Sequence, residues 1–128
     1  MHRRTAKRLY DVLTAAQEIA SYVDGRTLAE YLDEKAFRGS VERELITVGE
    51  ALNQARRLDP TLEQRIPRLP EWVGLRNRIV HGYDHISDSV IWNTVIKDLP
   101  ELVSALNVLM RDAPPLATLE NFGEGETE

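Results

Sequence analysis

Apolar residues recur along the chain at intervals of three and four, the spacing that gathers them on one face of an α-helix. No segment alternates with the period of two that marks a half-buried strand. Leu9, Leu13, Ala16, Ala20 and Val23 form the first stripe, and Asp24-Gly25 stops it. Thr27 has the side chain to cap a short helix carrying Leu28, Tyr31 and Leu32. The most regular stripe, Val41, Leu45, Val48, Leu52 and Ala55, predicts a helix over 34–58 that Asp59-Pro60 closes.

Pro60, Pro67 and Pro70 mark a connection with room for one helical turn at 62–66. Pro70 suits the first turn of a new helix, whose buried residues are Trp72, Leu75 and Ile79 and whose terminator is Gly82. Ser87 or Asp88 then caps a last long helix with the stripe Ile91, Val95, Leu99, Leu102, Leu106 and Leu109. Pro100 falls inside that stripe, which predicts a kinked helix or two abutting ones, and Ala113-Pro114-Pro115 ends it. Four principal helices on short connections predict an all-α fold, an up-and-down bundle of four or five helices. The expected domain spans 1–115, and 116–128 is expected to be a disordered acidic tail.

At 128 residues the chain fits one domain, small enough for pairing with a second copy to add stability. It has no cysteine, so disulfides and thiolate metal sites are excluded. Charged residues interrupt every apolar run near the start, and nothing approaches the length of a membrane helix, so a cytoplasmic location is expected. A net charge of −5 argues against a general nucleic-acid coat. The charge is uneven, however: Glu120, Glu124, Glu126 and Glu128 crowd the end, and without them the chain is nearly neutral. Arg3, Arg4, Lys7 and Arg8 cluster at the start, and Arg56, Arg57, Arg65, Arg68, Arg76 and Arg78 in the middle. Local gripping of phosphates is compatible with this balance.

The chemistry concentrates in Arg76-Asn77-Arg78-Ile79-Val80-His81-Gly82-Tyr83. Cleaving RNA requires a base for the 2′-hydroxyl proton, an acid for the departing 5′-oxygen and a fixed cation for charge building on the phosphoryl oxygens. An imidazole serves as acid or base near neutrality, and a guanidinium presents a planar fork matched to phosphate. No metal or cofactor enters this scheme. At 100° per residue Arg76 and His81 lie about 140° apart on an ideal helix, so one helix does not aim both at one phosphate. Either the helix unwinds near Gly82, or a homodimer completes the site across a two-fold axis and supplies two copies of His81 as acid and base.

The Arg-x4-His-x-Tyr pattern, with Gly49-Glu50-Ala51 on the preceding helix, resembles the signature of HepT-like toxins in the HEPN superfamily, over roughly residues 5–113. The resemblance implies a dimeric helical bundle acting as a metal-independent endoribonuclease of a toxin–antitoxin system. Arg76 and His81 would be catalytic and Asn77 their supporting polar neighbour. It also implies a partner, an MntA-like nucleotidyltransferase antitoxin that adenylylates the motif tyrosine, here Tyr83. A bulky anionic nucleotide there would repel RNA phosphate near Arg76.

Other readings of the same residues compete. Arg76 and His81 could cap a helix or stabilise a dimer, Arg78 could be a solvated charge, and Glu50 could be an interior polar group bonded to the motif helix. His81 and His85 have a zinc-ligand spacing, but Gly82 breaks the helix between them. The rival functional class is a non-catalytic helical module that binds a nucleotide or a nucleotidyltransferase, with Arg76 as an anion anchor. A purely structural dimerisation module is a third reading. No phosphate loop or activated serine appears, so the chain is not expected to transfer nucleotides itself.

Overall fold

The computed structural model describes residues 1–82 and 86–119. The helices are α1 (Arg3–Val23), α2 (Leu28–Asp33), α3 (Lys35–Leu58), α4 (Leu62–Arg65), α5 (Leu69–His81), α6 (Asp88–Leu109) and α7 (Leu116–Leu119), with a 3₁₀ turn at Met110–Asp112 between the last two. No strand occurs among the described residues. α3 packs along both α1 and α5, while α6 lies against α1 and α2. The expected all-α bundle is what the chain forms.

Val41, Leu45, Val48, Leu52 and Ala55 of α3 are all buried, so the most regular stripe is also the centre of the core. Full burial of each larger side chain contributes roughly 1.5–3 kcal/mol. On α1 the buried line is Ala6, Leu9, Val12, Ala16 and Ile19, rotated from the expected one. Leu9 and Ala16 belong to both lines, whereas Leu13 and Val23 are half-buried and Ala20 is exposed. The reason is tertiary. α3, α6 and α7 all pack on α1, and their positions choose between two adjacent stripes that periodicity alone leaves equivalent.

Local signals set the ends of the elements. Thr27 and Glu30 form a capping box, the Thr27 hydroxyl accepting from the Glu30 N–H at 3.1 Å and the Glu30 carboxylate accepting from the Thr27 N–H at 2.9 Å. α2 thereby delivers Tyr31 into an aromatic cluster with Phe37 and Trp92, ring centroids 5.4 and 5.3 Å away. Pro70 lies in the first turn of α5, and Gly82, at φ 69°, closes that helix by donating to the Arg78 carbonyl. The Ser87 hydroxyl caps α6 by accepting from the Val90 N–H.

α6 continues through Pro100 as one helix, so the alternative of two abutting helices is corrected. Pro100 and Ile96, whose carbonyl loses its partner, are both exposed, which is where a missing N–H costs least. At the C-terminal side, α7 packs on α1 with Leu119 buried, and the Tyr10 hydroxyl donates to the Pro114 carbonyl at 3.0 Å. The packed structure thus continues beyond the boundary expected at 115. The acidic stretch 120–128 lies outside the described residues. No helix is long and apolar enough to cross a membrane among the described residues.

Candidate functional site

α3 and α5 meet unusually closely at Gly49. A methyl group placed there would overlap the Cβ of Arg76 and stand 3.1 Å from the Trp72 carbonyl oxygen. The absence of a side chain at 49 therefore lets the stem of Arg76 lie directly on α3. In the sequence Gly49 stands out only within the family resemblance; its steric role arises from α3 and α5 lying side by side.

Next to that contact, Glu50 reaches the same arginine. One terminal nitrogen of Arg76 donates to the Glu50 carboxylate at 2.9 Å, and the other donates to the Asn77 side-chain oxygen, also at 2.9 Å. The Arg76 Nε is buried without a partner, so the guanidinium is held at its tips while its inner edge is desolvated. Asn77 thus meets Arg76 through its side-chain oxygen. Glu50 is bonded to the motif helix, as one reading of the sequence had it, although it is half exposed rather than interior. A carboxylate and an amide on two sides of a guanidinium fix its plane and leave further N–H groups to meet an anion.

His81 is the last residue of α5 and is exposed. Because α5 stays helical through His81, the local unwinding near Gly82 that could have swung the imidazole towards Arg76 does not occur. The two residues stand about 140° apart around the axis and roughly 7.5 Å apart along it. One chain therefore places the cation and the imidazole on different sides of one helix. Tyr83 and His85 lie outside the described residues, so neither the modification site nor the paired-histidine reading is placed by the structure. No group of potential metal ligands is found among the described residues. Arg78, read as a solvated charge, lines a separate groove between α5 and α6.

The surface around Arg76 is a polar cavity of about 390 Å³ floored by Gly49. Its walls include Glu50, Asn53, Gln54 and Arg57 from α3, with Arg76 and Asn77 from α5. Of these, Asn53, Gln54 and Arg57 were not singled out from the sequence as site residues. The signal that could have found them is the polar face of α3, where 50, 53, 54 and 57 follow helical spacing opposite the apolar stripe.

An all-helical bundle with a part-buried arginine midway along one helix and an exposed histidine at that helix's end, in an Arg-x4-His pattern, is the arrangement that the HEPN-like resemblance implied. More narrowly, the profile of the family described as Ribonuclease HepT-like matches residues 12–109, and the chain belongs to that family. A Methanocaldococcus jannaschii protein named Putative RNase MJ1380 is 30% identical over 112 residues, covering 85% of this chain and all of the relative. A second from the same organism, named Putative RNase MJ0127, is 29% identical across 81% of this chain and 85% of its own length. A Thermococcus cleftensis protein named probable ribonuclease HepT is 28% identical, covering 80% of this chain and 92% of that one. No solved structure matches the chain with significance.

Proposed function

We propose that this member of the HepT-like ribonuclease family is a metal-independent endoribonuclease toxin whose active site is shared between two copies of the chain. The observation that carries the reading is the fixed guanidinium of Arg76, clamped by Glu50 and Asn77, on the same helix as an exposed terminal imidazole. One His81 accepts the 2′-hydroxyl proton while that oxygen attacks the adjacent phosphorus. A second His81 protonates the 5′-oxygen as its bond to phosphorus breaks, leaving a 2′,3′-cyclic phosphate and a 5′-hydroxyl end. Arg76 stabilises the charge on the phosphoryl oxygens throughout. The 140° separation within one helix supports the dimer, because a two-fold axis brings one copy's histidine to the other's arginine.

Regulation in this reading falls on Tyr83. An MntA-like nucleotidyltransferase partner would transfer adenylate from ATP, the phenol oxygen bonding to the α-phosphorus and pyrophosphate leaving. Two residues beyond His81, the added phosphate and nucleoside would crowd and repel an RNA strand. Intact mass after co-expression with the partner reads this directly, as an added adenylate that maps to Tyr83 and is missing from the Tyr83→Phe variant.

The nuclease reading is tested with the purified chain on single-stranded RNA, with and without a chelator. Cleavage is expected to persist in the chelator, to leave cyclic-phosphate ends, and to fall by about 10²–10⁴ in His81→Ala. The melting temperature of the same variant, measured beside its activity, separates lost chemistry from lost stability. Intact RNA with tight binding of a nucleotide or nucleotidyltransferase would instead favour a non-catalytic module in which Arg76 only anchors an anion.

A further inference from the structure

The cavity beside Arg76 is larger than one phosphate needs, and its free hydrogen-bonding capacity is mostly of one kind. Arg56 and Arg57 both occupy the last turn of α3, where a cation is favoured by the helix dipole. Arg56 is committed, donating to Asn53 at 3.0 Å and to Glu63 at 3.0 Å. Arg57 is not: among the described residues it has no hydrogen-bond or ion-pair partner, and it lines the cavity. Gln54 also lines the cavity without a side-chain partner. The side-chain oxygens of Asn53 and Asn77 are occupied by arginines, which leaves their NH₂ groups to donate. The cavity thus offers one uncommitted guanidinium and three amides, and its one carboxylate, Glu50, is held by Arg76.

We propose that Asn53, Gln54 and Arg57 form a substrate subsite for the nucleotide next to the scissile phosphate. This rests on the ribonuclease reading above and adds to it a place where the RNA strand is held. Arg57 lies two helical turns from Glu50, about 10 Å along α3, so its charge is offset from the Arg76 guanidinium along one groove. A strand with one phosphate at Arg76 has its neighbouring phosphate drawn to Arg57. The amides of Gln54 and Asn53 stand between the two positions on the same helix face, where they meet an unstacked base edge. Single-stranded RNA exposes such edges, and side-chain amides read them. Arg57 therefore contributes affinity regardless of sequence, whereas Gln54 contributes preference among bases.

The test uses full-length protein carrying His81→Ala, so that RNA is bound without being cut, and a labelled single-stranded oligonucleotide. Arg57→Gln is expected to weaken binding about tenfold at low salt. It should also reduce the slope of log affinity against log salt by ~0.7, the value for one lost phosphate contact on a single strand. Arg57→Lys should restore the slope, and Lys97→Gln, a charge loss on α6 outside the cavity, should leave it unchanged. In the cleaving protein Arg57→Gln should raise KM and keep kcat, and Gln54→Ala should alter the base preference of the cut sites. RNA that is bound and cut equally by wild type and Arg57→Gln, with an unchanged salt slope, overturns the subsite and leaves the nuclease reading standing. A chain that neither binds nor cuts RNA overturns both.

Discussion

Tyr31 shows how a single polar atom is carried inside this small core. The residue is fully buried between Phe37 and Trp92, and its hydroxyl has no hydrogen-bond partner. Burial, with Glu42 and Asp88 adding to it, pushes its ionisation well above the ordinary phenol value. Below the unfolded value near pH 10 both states keep the proton, and the neutral phenol's contribution is fully present. As pH rises beyond that, the unfolded chain ionises while the folded one does not, so stability is lost. Tyr31→Phe should therefore melt higher at neutral pH, by about 1 kcal/mol of stability, because it removes an unsatisfied buried donor. Its stability should also fall less steeply than wild type above pH 10. A lower melting temperature at pH 7 in the phenylalanine variant would mean that the hydroxyl has a partner after all.

At the scale of elements, the contact between α3 and α5 governs the site. The overlap that a methyl at 49 would create is with the Cβ of Arg76, an atom fixed to the α5 backbone, so relief requires the helices to part. Overpacking of this kind costs about 1–3 kcal/mol, and the better helix propensity of alanine returns ~1 kcal/mol of it. Gly49→Ala should thus lower the melting temperature by a few degrees and reduce RNA cleavage more than it reduces stability. An unchanged melting temperature and activity would show that the two helices tolerate a wider spacing. This contact also marks the limit of what the chain's pattern discloses. The α3 stripe, the Thr27 cap, the Gly82 terminator and the Arg76–His81 motif were all readable, because each depends on residues near one another in sequence. The register of α1, the helical α7 and the donor-lined cavity were not, because each depends on which neighbour an element meets. Leu13 and Val12 look equally suited to the core until α3, α6 and α7 are in place, and Arg57 looks like an ordinary solvated charge until α5 lies beside it.

At the scale of the whole molecule, the bundle is a rigid carrier for one exposed helix end. α5 carries proline in its first turn, packs on α3 and is closed by Gly82, and it holds the Arg76 and His81 backbones about a turn and a half apart. The shared-site proposal closes that gap with a second copy. In the shared-site proposal the cutting rate per molecule must then depend on dosage. Above the dimer dissociation constant it should be constant, and below it the total rate should climb with the square of concentration. A dilution series followed through that range, beside a sedimentation measurement of association, would reveal the threshold. A rate strictly proportional to concentration through the range where sedimentation finds mostly monomer would refute the shared site. Under that proposal a cell making the protein would tolerate a trickle of it and suffer from a surge, a dose response tied to a helix that stays wound to its last residue.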